Sequence, residues 1–188
     1  LQFSWIADTF DAELVHAAAV KSNTGVVLLT GLSGSGKSTI THQLGLDGVP
    51  VISDDFVLAE GKKISSPYSR TKLHDSALLV LPELRALVLN LETPNQKRIL
   101  QGMVSDNVAT TDLALIYLVR FGPGARITDA PRRTIFRELV LGTVPGVLGG
   151  NNRSLLRLAR VARAAPSKRY DTTASGKKNL EVWAADRG

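Results

Sequence analysis

The octapeptide at residues 31–38 constrains this chain more than any other segment. It reads Gly31-Leu-Ser-Gly-Ser-Gly-Lys-Ser38 and fits the pattern G-x-x-x-x-G-K-[ST] without a mismatch. The continuous apolar run Val26–Thr30 precedes it, as expected of a buried strand, and a helical pattern from Lys37 to Leu46 follows it. A strand, a glycine-rich turn and a helix N-terminus in this order aim backbone N–H groups at phosphate oxygens. The segment therefore predicts a phosphate-binding loop, against the alternative of a glycine-rich turn with a surface lysine.

Each residue type in this loop has a chemical reason. The glycines permit the tight turn, Lys37 is expected to reach the β and γ phosphates, and Ser38 is expected to place its hydroxyl on Mg²⁺, which prefers oxygen ligands. The predicted cofactors are therefore ATP or GTP, together with Mg²⁺. The predicted nucleotide-binding residues are Gly31, Ser33, Gly34, Ser35, Gly36, Lys37, Ser38 and Thr39.

Two adjacent carboxylates, Asp54 and Asp55, follow a second apolar run that ends at Ser53. The carboxyl end of a strand is where open α/β sheets bind ligands, so the pair is expected beside the loop. Adjacent strand residues point to opposite sides, and we expect one side chain to face the metal and the other to face a reacting hydroxyl. The alternative is that the two acids only start a turn.

A single histidine, His16, lies in an apolar segment, Leu14–Val20, ahead of the turn-like residues Ser22–Gly25. The turn predicts a hairpin that lays this segment beside the strand of the loop. A lone histidine is more often structural, and on its own His16 supports no function.

The three features together resemble a known family. His16-Ala-Ala-Ala-Val, the loop with its strand, and Val-Ile-Ser-Asp-Asp55 are similar to the nucleotide-binding core of bacterial HPr serine kinase/phosphorylase and its shorter relatives. The resemblance is specific over residues 14–60 and pattern-like to about 170. It implies an α/β fold with a mixed sheet flanked by helices, like the C-terminal domain of HPr kinase and like phosphoenolpyruvate carboxykinase, without a separate N-terminal domain. It also implies that Asp54 is the general base toward a serine hydroxyl, that Asp55 and Ser38 serve the metal, and that His16 lies by the phosphates.

The remaining chain continues an alternation of strands and helices. Leu113–Val119 is typical of a central strand, and Phe56–Ile64 of a hairpin. Thr128 is expected to cap a helix with Pro131 in its first turn, and Asn151 or Asn152 to cap another that ends near residue 165. Lys168–Tyr170 is the expected terminal strand. Alternating strands and helices predict the α/β class, and 188 residues fit one domain over 1–188.

Composition excludes several classes of protein. The chain has no cysteine, which excludes disulfides and thiolate chemistry. Its apolar runs are far shorter than the roughly 20 residues of a membrane span, and it begins without the basic and apolar pattern of a signal peptide, so we expect a cytoplasmic protein. Only 5% of residues are aromatic and none interleave with the arginine run in 151–165, which argues against nucleic acid.

Basic residues are concentrated in the second half, with 11 basic and 2 acidic residues in 120–169. Four arginines recur at helical spacing in 151–165, which fits a solvated amphipathic helix, a face for an acidic peptide or second nucleotide, or nucleic acid, in falling order. Lys97-Arg98 is expected in a surface turn, and residues 69–75 in a loop. Candidate cations for the transferred phosphoryl group are Arg70 and Lys72 in that loop, and Arg132 and Arg133 at the start of a helix.

The leading hypothesis is a kinase that uses ATP and Mg²⁺ to phosphorylate a serine-type hydroxyl on a peptide, protein or small molecule. Among the shorter relatives are kinases that modify ribosomal peptides such as lasso precursors. One alternative is a nucleotide-binding regulatory module without catalysis, and another is carboxykinase-like chemistry on a small acid. We expect no nucleic-acid or membrane partner, and the sequence leaves open whether the chain forms a homo-oligomer.

Overall fold

The computed structural model describes residues 11–67, 71–75, 77–92, 97–104, 110–147 and 152–187. Within these ranges the strands are β1 Glu13–Val15, β2 Ala18–Ser22, β3 Gly25–Thr30, β4 Val51–Ser53, β5 Val57–Glu60, β6 Lys63–Ser65, β7 Thr71–His74, β8 Val88–Glu92, β9 Lys97–Leu100, β10 Thr111–Phe121, β11 Arg126–Asp129 and β12 Ser167–Thr172. The helices are α1 Lys37–Leu46, α2 Ala77–Val80, a 3-10 helix Pro82–Leu87, α3 Arg132–Val147, α4 Asn152–Ala164 and α5 Gly176–Arg187.

The described strands form a large mixed sheet and a small one. The large sheet runs β1-β5-β6-β10-β3-β2-β4, and β12 joins it beside β10, with β11 at the edge of β12. β10 runs parallel to both β3 and β12, whereas β2 pairs antiparallel with β3 and with β4. β7, β9 and β8 form the second, antiparallel sheet. This topology brings the ends of β3, β4 and β10 to one edge.

Helices cover both faces of the large sheet, and this explains why β3 is apolar throughout. On one face α3 and α4 pack on Leu28, Ile116 and Leu118. On the other face α1 and α5 pack around Leu29 and an aromatic group, in which Tyr117, Tyr170 and Trp183 lie with ring centroids 5.4 to 6.3 Å apart. A strand buried on both faces needs apolar residues at successive positions, as β3 has.

The predicted class, α/β with a mixed sheet flanked by helices, is confirmed. The predicted hairpins appear as β2–β3 and β5–β6, the helix after the glycine loop as α1, and the central strand as β10. The expected terminal strand at Lys168–Tyr170 lies within β12, although α5 follows it. In the part of the chain that the structure describes, no helix is long and apolar enough to span a membrane.

Three local predictions were wrong, each because pairing between distant segments decided the conformation. Residues 71–74 were expected in a loop and Lys97-Arg98 in a turn, but they pair with each other as β7 and β9. Thr128 was expected to cap a helix, but it lies in β11 opposite Arg169, and α3 begins only at Arg132. Of the two asparagines expected to cap the next helix, Asn151 lies outside the described residues and Asn152 is the first residue of α4.

The basic helix, α4, differs from the expected solvated stripe at one position. Arg157 is buried, and its Nε donates to Asp11 Oδ1 at 3.0 Å, while its Nη1 lies 4.0 Å from Glu13 Oε2. Arg153, Arg160 and Arg163 are exposed. The residues that face the core are Ser154, Leu158, Val161 and Ala162. Arg157 therefore attaches α4 to β1 and is not available to an external partner.

Candidate functional site

A cavity of about 310 Å³ lies where the glycine loop, Gly31–Ser38, meets β7 and the end of β4. The loop and the first residues of α1 form its floor, and β7 with the start of α2 forms a wall. Its lining residues are His16, Ser33, Gly34, Ser35, Gly36, Lys37, Ser38, Thr39, Asp55, Lys72, Leu73, His74 and Ala77. The cavity thus joins most of the predicted nucleotide-binding residues to His16 and Asp55, two residues that are far from the loop in sequence.

Backbone conformation explains two of the glycines in the loop. Gly31 has φ +148°, and a β-carbon there would lie 2.6 Å from the Val119 carbonyl oxygen and 2.8 Å from Ser35 Oγ. Gly36, the cap of α1, has φ +94°. Residues with side chains rarely adopt these conformations, so the loop can pass this close to β10 only with glycine at position 31.

The Lys37 ammonium lies inside the curve of the loop. It donates hydrogen bonds to the carbonyl oxygens of Gly31 at 2.7 Å and Leu32 at 3.0 Å, and the side chain is buried. A buried cation needs oxygen partners, and here backbone carbonyls supply them. Anionic oxygens are stronger acceptors than carbonyls, so this ammonium is placed to exchange them for the oxygens of a phosphate group.

The first helix is connected to the cavity wall through His42. His42 Nδ1 lies 2.5 Å from the Ser38 carbonyl oxygen and Nε2 lies 3.2 Å from Thr71 Oγ1. Since a carbonyl only accepts, Nδ1 carries hydrogen and the Thr71 hydroxyl donates to Nε2 in the neutral ring. Burial lowers the pKa of His42 below its ordinary value, and the hydrogen bond to Ser38 offsets only part of that effect. A neutral histidine therefore joins α1 to β7.

His16 lies between the third helix and the acidic pair. Its backbone N–H donates to Thr143 Oγ1 at 3.1 Å, its Nδ1 lies 3.1 Å from the Gly142 carbonyl oxygen, and its Nε2 lies 3.1 Å from Asp55 Oδ1. The ring also lies against Phe56, with centroids 5.0 Å apart. His16 is thus held by contacts on both sides, as a purely structural histidine would be. Unlike a buried structural histidine, it also lines the cavity.

The contacts of His16 limit which of its ring nitrogens can donate. The Gly142 carbonyl can only accept, so Nδ1 donates to it. Nε2 lies 3.1 Å from Asp55 Oδ1, and both residues line the cavity. The pair therefore presents a ring nitrogen and a carboxylate side by side at the cavity.

The two aspartates divide their positions as the strand geometry predicts. Asp55 lines the cavity, whereas Asp54 is only 2% exposed and is not among the residues that line it. Asp54 Oδ2 instead accepts a hydrogen bond from the Lys72 backbone N–H at 2.9 Å. The structure thus places Asp55 beside His16 and places Asp54 where it holds β7, and the role of Asp54 as a base stays a prediction.

Ser38 and Asp55, the predicted metal-binding residues, line the same cavity. One hydroxyl and one carboxylate fit Mg²⁺, because this cation usually keeps several waters and takes its other oxygens from substrate phosphates. The described residues contain no group of three or more acidic or histidine side chains that could hold a metal alone. The donor set therefore suits a cation that arrives with phosphates.

The predicted cations have different outcomes. Lys72 and the neighbouring His74 line the cavity. Arg70 lies outside the described residues. Arg132 and Arg133 are exposed at the start of α3 and are not among the lining residues. They precede Gly142 by ten and nine positions, which is about 15 Å along a helix.

Sequence reasoning missed the residues that hold the site from a distance. Gly142 and Thr143 fix His16 across more than 120 positions, and the link from His42 to Thr71 spans 29 positions. No local pattern marks a helix residue whose carbonyl or hydroxyl serves a distant histidine. Only the packing of α3 against the end of β3 brings these groups together.

Comparison with known proteins adds little to this geometry. No protein-family model matches the chain, and no curated protein matches it. Among solved structures it is similar to the Hpr(Ser) kinase/phosphatase from Coxiella burnetii, at 15% identity, with 93% of this chain and 96% of that chain covered and a TM-score of 0.33. A likeness at that level carries no argument about the site, so family membership stays a prediction from the motifs.

Proposed function

We propose that this chain is a kinase that binds ATP with Mg²⁺ and transfers the γ-phosphoryl group to a hydroxyl of a peptide, protein or small molecule. The observation that carries the proposal is the cavity in which the glycine loop, Lys37 and Ser38 meet the adjacent side chains of His16 and Asp55. Catalysis of phosphoryl transfer depends mainly on positioning and charge, and a proton acceptor that orients the acceptor hydroxyl lies beside the phosphate site.

The loop and its lysine would hold the nucleotide. The backbone N–H groups at the N-terminus of α1 and the Lys37 ammonium bind the phosphates, and Lys72 adds positive charge from the opposite wall. Ser38 and Asp55 would hold Mg²⁺, which when bound would neutralise negative charge on the nucleotide phosphates. A carboxylate has lone pairs on two oxygens, so Asp55 can contact His16 through Oδ1 and also serve a metal ion.

The proton of the acceptor hydroxyl passes to the His16–Asp55 pair. Gly142 fixes Nδ1 as a donor, so Nε2 and the carboxylate are the atoms that exchange a proton at the cavity. His16 Nε2 accepts the hydroxyl proton as the hydroxyl oxygen bonds to phosphorus and the ADP oxygen leaves, and the Asp55 carboxylate then faces the protonated ring. In this proposal Asp54 is a positioning residue, which acts by holding the backbone of Lys72.

The test compares three nearly isosteric variants in one assay. Wild type, His16→Gln, Asp55→Asn and Asp54→Asn are incubated with γ-labelled ATP, Mg²⁺ and a panel of serine peptides and hydroxy metabolites, and products are identified by mass spectrometry. Because acid–base groups contribute about 100-fold or more, we expect His16→Gln to lower kcat by that factor while nucleotide binding survives. Asp55→Asn lowers both transfer and Mg²⁺ affinity, and Asp54→Asn has the smallest effect on kcat.

Two other outcomes have definite meanings. Loss of transfer in Asp54→Asn with full transfer in His16→Gln would assign the base to Asp54, as the family resemblance implies, and would contradict the proton path proposed for this chain. Tight ATP binding with no product on any acceptor, unchanged in all three variants, would contradict the kinase and favour a nucleotide-responsive binding module.

A further inference from the structure

Four arginines are held by two buried carboxylates on the face of the sheet that α3 covers. Glu138 Oε1 accepts from Arg120 Nη2 at 2.8 Å and from Arg137 Nη2 at 3.1 Å. Asp171 accepts from Arg126 Nε at 2.9 Å and from Arg169 Nε at 2.7 Å. We refer to these four basic residues as the arginine cluster: Arg120, Arg126, Arg137 and Arg169.

Strand register shows that the arginines bound to Glu138 and those bound to Asp171 belong to one surface. Arg120 on β10 lies opposite Asp171 on β12, and Asp171 lies opposite Arg126 on β11. Residues opposite one another share a face of a sheet, and Arg169, two positions before Asp171, shares it as well. Glu138, with Arg137 beside it, reaches this face from α3.

The carboxylates are hidden and the guanidinium groups are not. The Glu138 and Asp171 side chains are 2% and 4% exposed, whereas Arg120, Arg126, Arg137 and Arg169 are 38%, 67%, 64% and 44% exposed. Burial raises the pKa of Asp171, but the hydrogen bonds from its two arginines outweigh burial and hold that pKa below its ordinary value. A partner that binds this surface therefore contacts the four arginines and does not contact the two carboxylates that position them.

The guanidinium groups keep donors for a second acceptor. Each has five N–H groups, and in the described part of the chain each donates one of them to a buried carboxylate. A guanidinium that is already held in place loses less conformational freedom when it binds a second acceptor. Its planar N–H groups match the two oxygens of a carboxylate. Arg133, one helical turn before Arg137 on α3, extends the positive surface.

The arginine cluster lies near His16 but does not line the nucleotide cavity. Leu118 pairs with Thr30, the last residue of β3, so Arg120 lies two positions further along β10, at the edge of the sheet where the glycine loop begins. Glu138 precedes Gly142 by one helical turn, about 6 Å along α3, and Gly142 contacts His16. None of the four arginines lines the nucleotide cavity, whose walls are the loop, Asp55 and β7.

We propose that the arginine cluster docks an acidic segment of a peptide or protein acceptor and so presents the acceptor hydroxyl to His16 and Asp55. The inference rests on the proposed kinase function and names its substrate class. The loop already accounts for the phosphates of the nucleotide, and four fixed cations against two hidden anions leave a surplus of positive charge that carboxylates complement.

The binding test uses a fluorescein-labelled dodecapeptide with one serine among glutamates, and a matched peptide with glutamines in place of the glutamates. The double variant Arg126→Gln/Arg137→Gln leaves one arginine on each buried carboxylate. We expect its Kd for the glutamate peptide, measured by fluorescence anisotropy, to rise about tenfold. The control Lys177→Gln/Lys178→Gln removes the same charge from α5, on the opposite face of the sheet, and is expected to change Kd less than twofold.

Three results overturn the docking proposal: an unchanged Kd in the arginine variant, an equal rise in the lysine control, or a glutamine peptide that binds wild type as tightly. Tighter binding of a single-stranded dodecanucleotide than of the glutamate peptide also overturns it. If circular dichroism shows that the double glutamine variant is unfolded, the same Kd is measured for the double variant Arg126→Lys/Arg137→Lys. This variant keeps the charge but loses the planar pairing with carboxylates, so an unchanged Kd contradicts the proposal.

The same peptides separate this inference from the kinase proposal. With ATP and Mg²⁺ added, binding of the glutamate peptide without phosphate transfer supports docking and contradicts the proposed function for this acceptor class. Equal kcat/KM for the glutamate and glutamine peptides supports the kinase and contradicts docking. Transfer that favours the glutamate peptide through KM, and loses that preference in Arg126→Gln/Arg137→Gln, supports both.

Discussion

Gly31 shows how one residue couples the sheet to the candidate nucleotide site. Its Cα lies so close to β10 that a β-carbon would overlap the Val119 carbonyl oxygen, and its φ of +148° is one that other residues rarely adopt. The start of the loop is therefore fixed by the sheet and not by the loop itself. The Oγ of Ser35, a residue that lines the cavity, is the second group that a side chain here would meet.

The substitution Gly31→Ala should be costly for that reason. We expect the free energy of unfolding to fall by about 1–3 kcal/mol and nucleotide affinity to fall at least tenfold, because the loop must move to relieve the overlap. Denaturant unfolding and nucleotide titration measure the two effects. Gly124→Ala is the control, since a β-carbon there has no atom within 4 Å. Equal stability of the two variants would contradict the structural account of Gly31.

His42 predicts a pH dependence of stability. Its pKa is ordinarily 6.5 and is lower in the folded protein because the ring is buried. As pH falls through 6.5, the unfolded chain takes up a proton that the folded chain does not, so the free energy of unfolding decreases towards acid pH. His42→Gln should lack this part of the decrease. Urea unfolding of both proteins between pH 8 and pH 5 measures the difference in slope, and identical slopes would contradict a buried neutral His42.

At the scale of elements, structure set by neighbouring residues was predictable, and structure set by pairing between distant segments was not. The glycine loop, β3 and α1 follow from adjacent residues, and the hairpin turn at Ser22–Gly25 placed β2 correctly. β7 was not predicted because Thr71–His74 becomes a strand only by pairing with β9. The residue pattern of so short a segment cannot indicate a partner that is more than twenty positions away. The acidic pair was located beside the loop, but which carboxylate enters the cavity depends on β7, since Asp54 is drawn to the Lys72 N–H.

The attachment of α4 to β1 gives a prediction for an arginine that looked solvated in the sequence. Arg157 lies against Glu13, which is fully buried, and Arg160 contacts only the exposed Asp11 in the described residues. Removing the guanidinium in Arg157→Met weakens the pairing of a buried carboxylate, so we expect the free energy of unfolding to fall by about 3 kcal/mol. Arg160→Met should change it far less. Denaturant unfolding measures both, and similar losses would contradict an internal role for Arg157.

For the whole molecule, the uneven charge divides into structural and exposed parts. Of the basic residues in 120–169, Arg157 connects α4 to β1 and Lys168 lies 2.5 Å from Asp186 of α5. The arginine cluster is different, because its acidic partners are buried while its own side chains remain exposed. Part of the excess charge of the second half is therefore exposed on the face of the sheet that carries α3.

The candidate nucleotide site joins parts of the fold that are distant in sequence, so nucleotide should stabilise the molecule as a unit. Ligands that bind only the folded state add about 2.7 kcal/mol at 100 times Kd, which is roughly 5–10 °C in Tm for a chain of this size. We expect this shift with ATP and Mg²⁺ and not with adenosine, which lacks the phosphates. Lys37→Ala should abolish the shift, because the buried ammonium that would bind phosphate oxygens is gone, whereas Lys177→Ala on α5 should retain it. Differential scanning calorimetry measures all four, and a shift with adenosine equal to that with ATP would place the ligand away from the glycine loop.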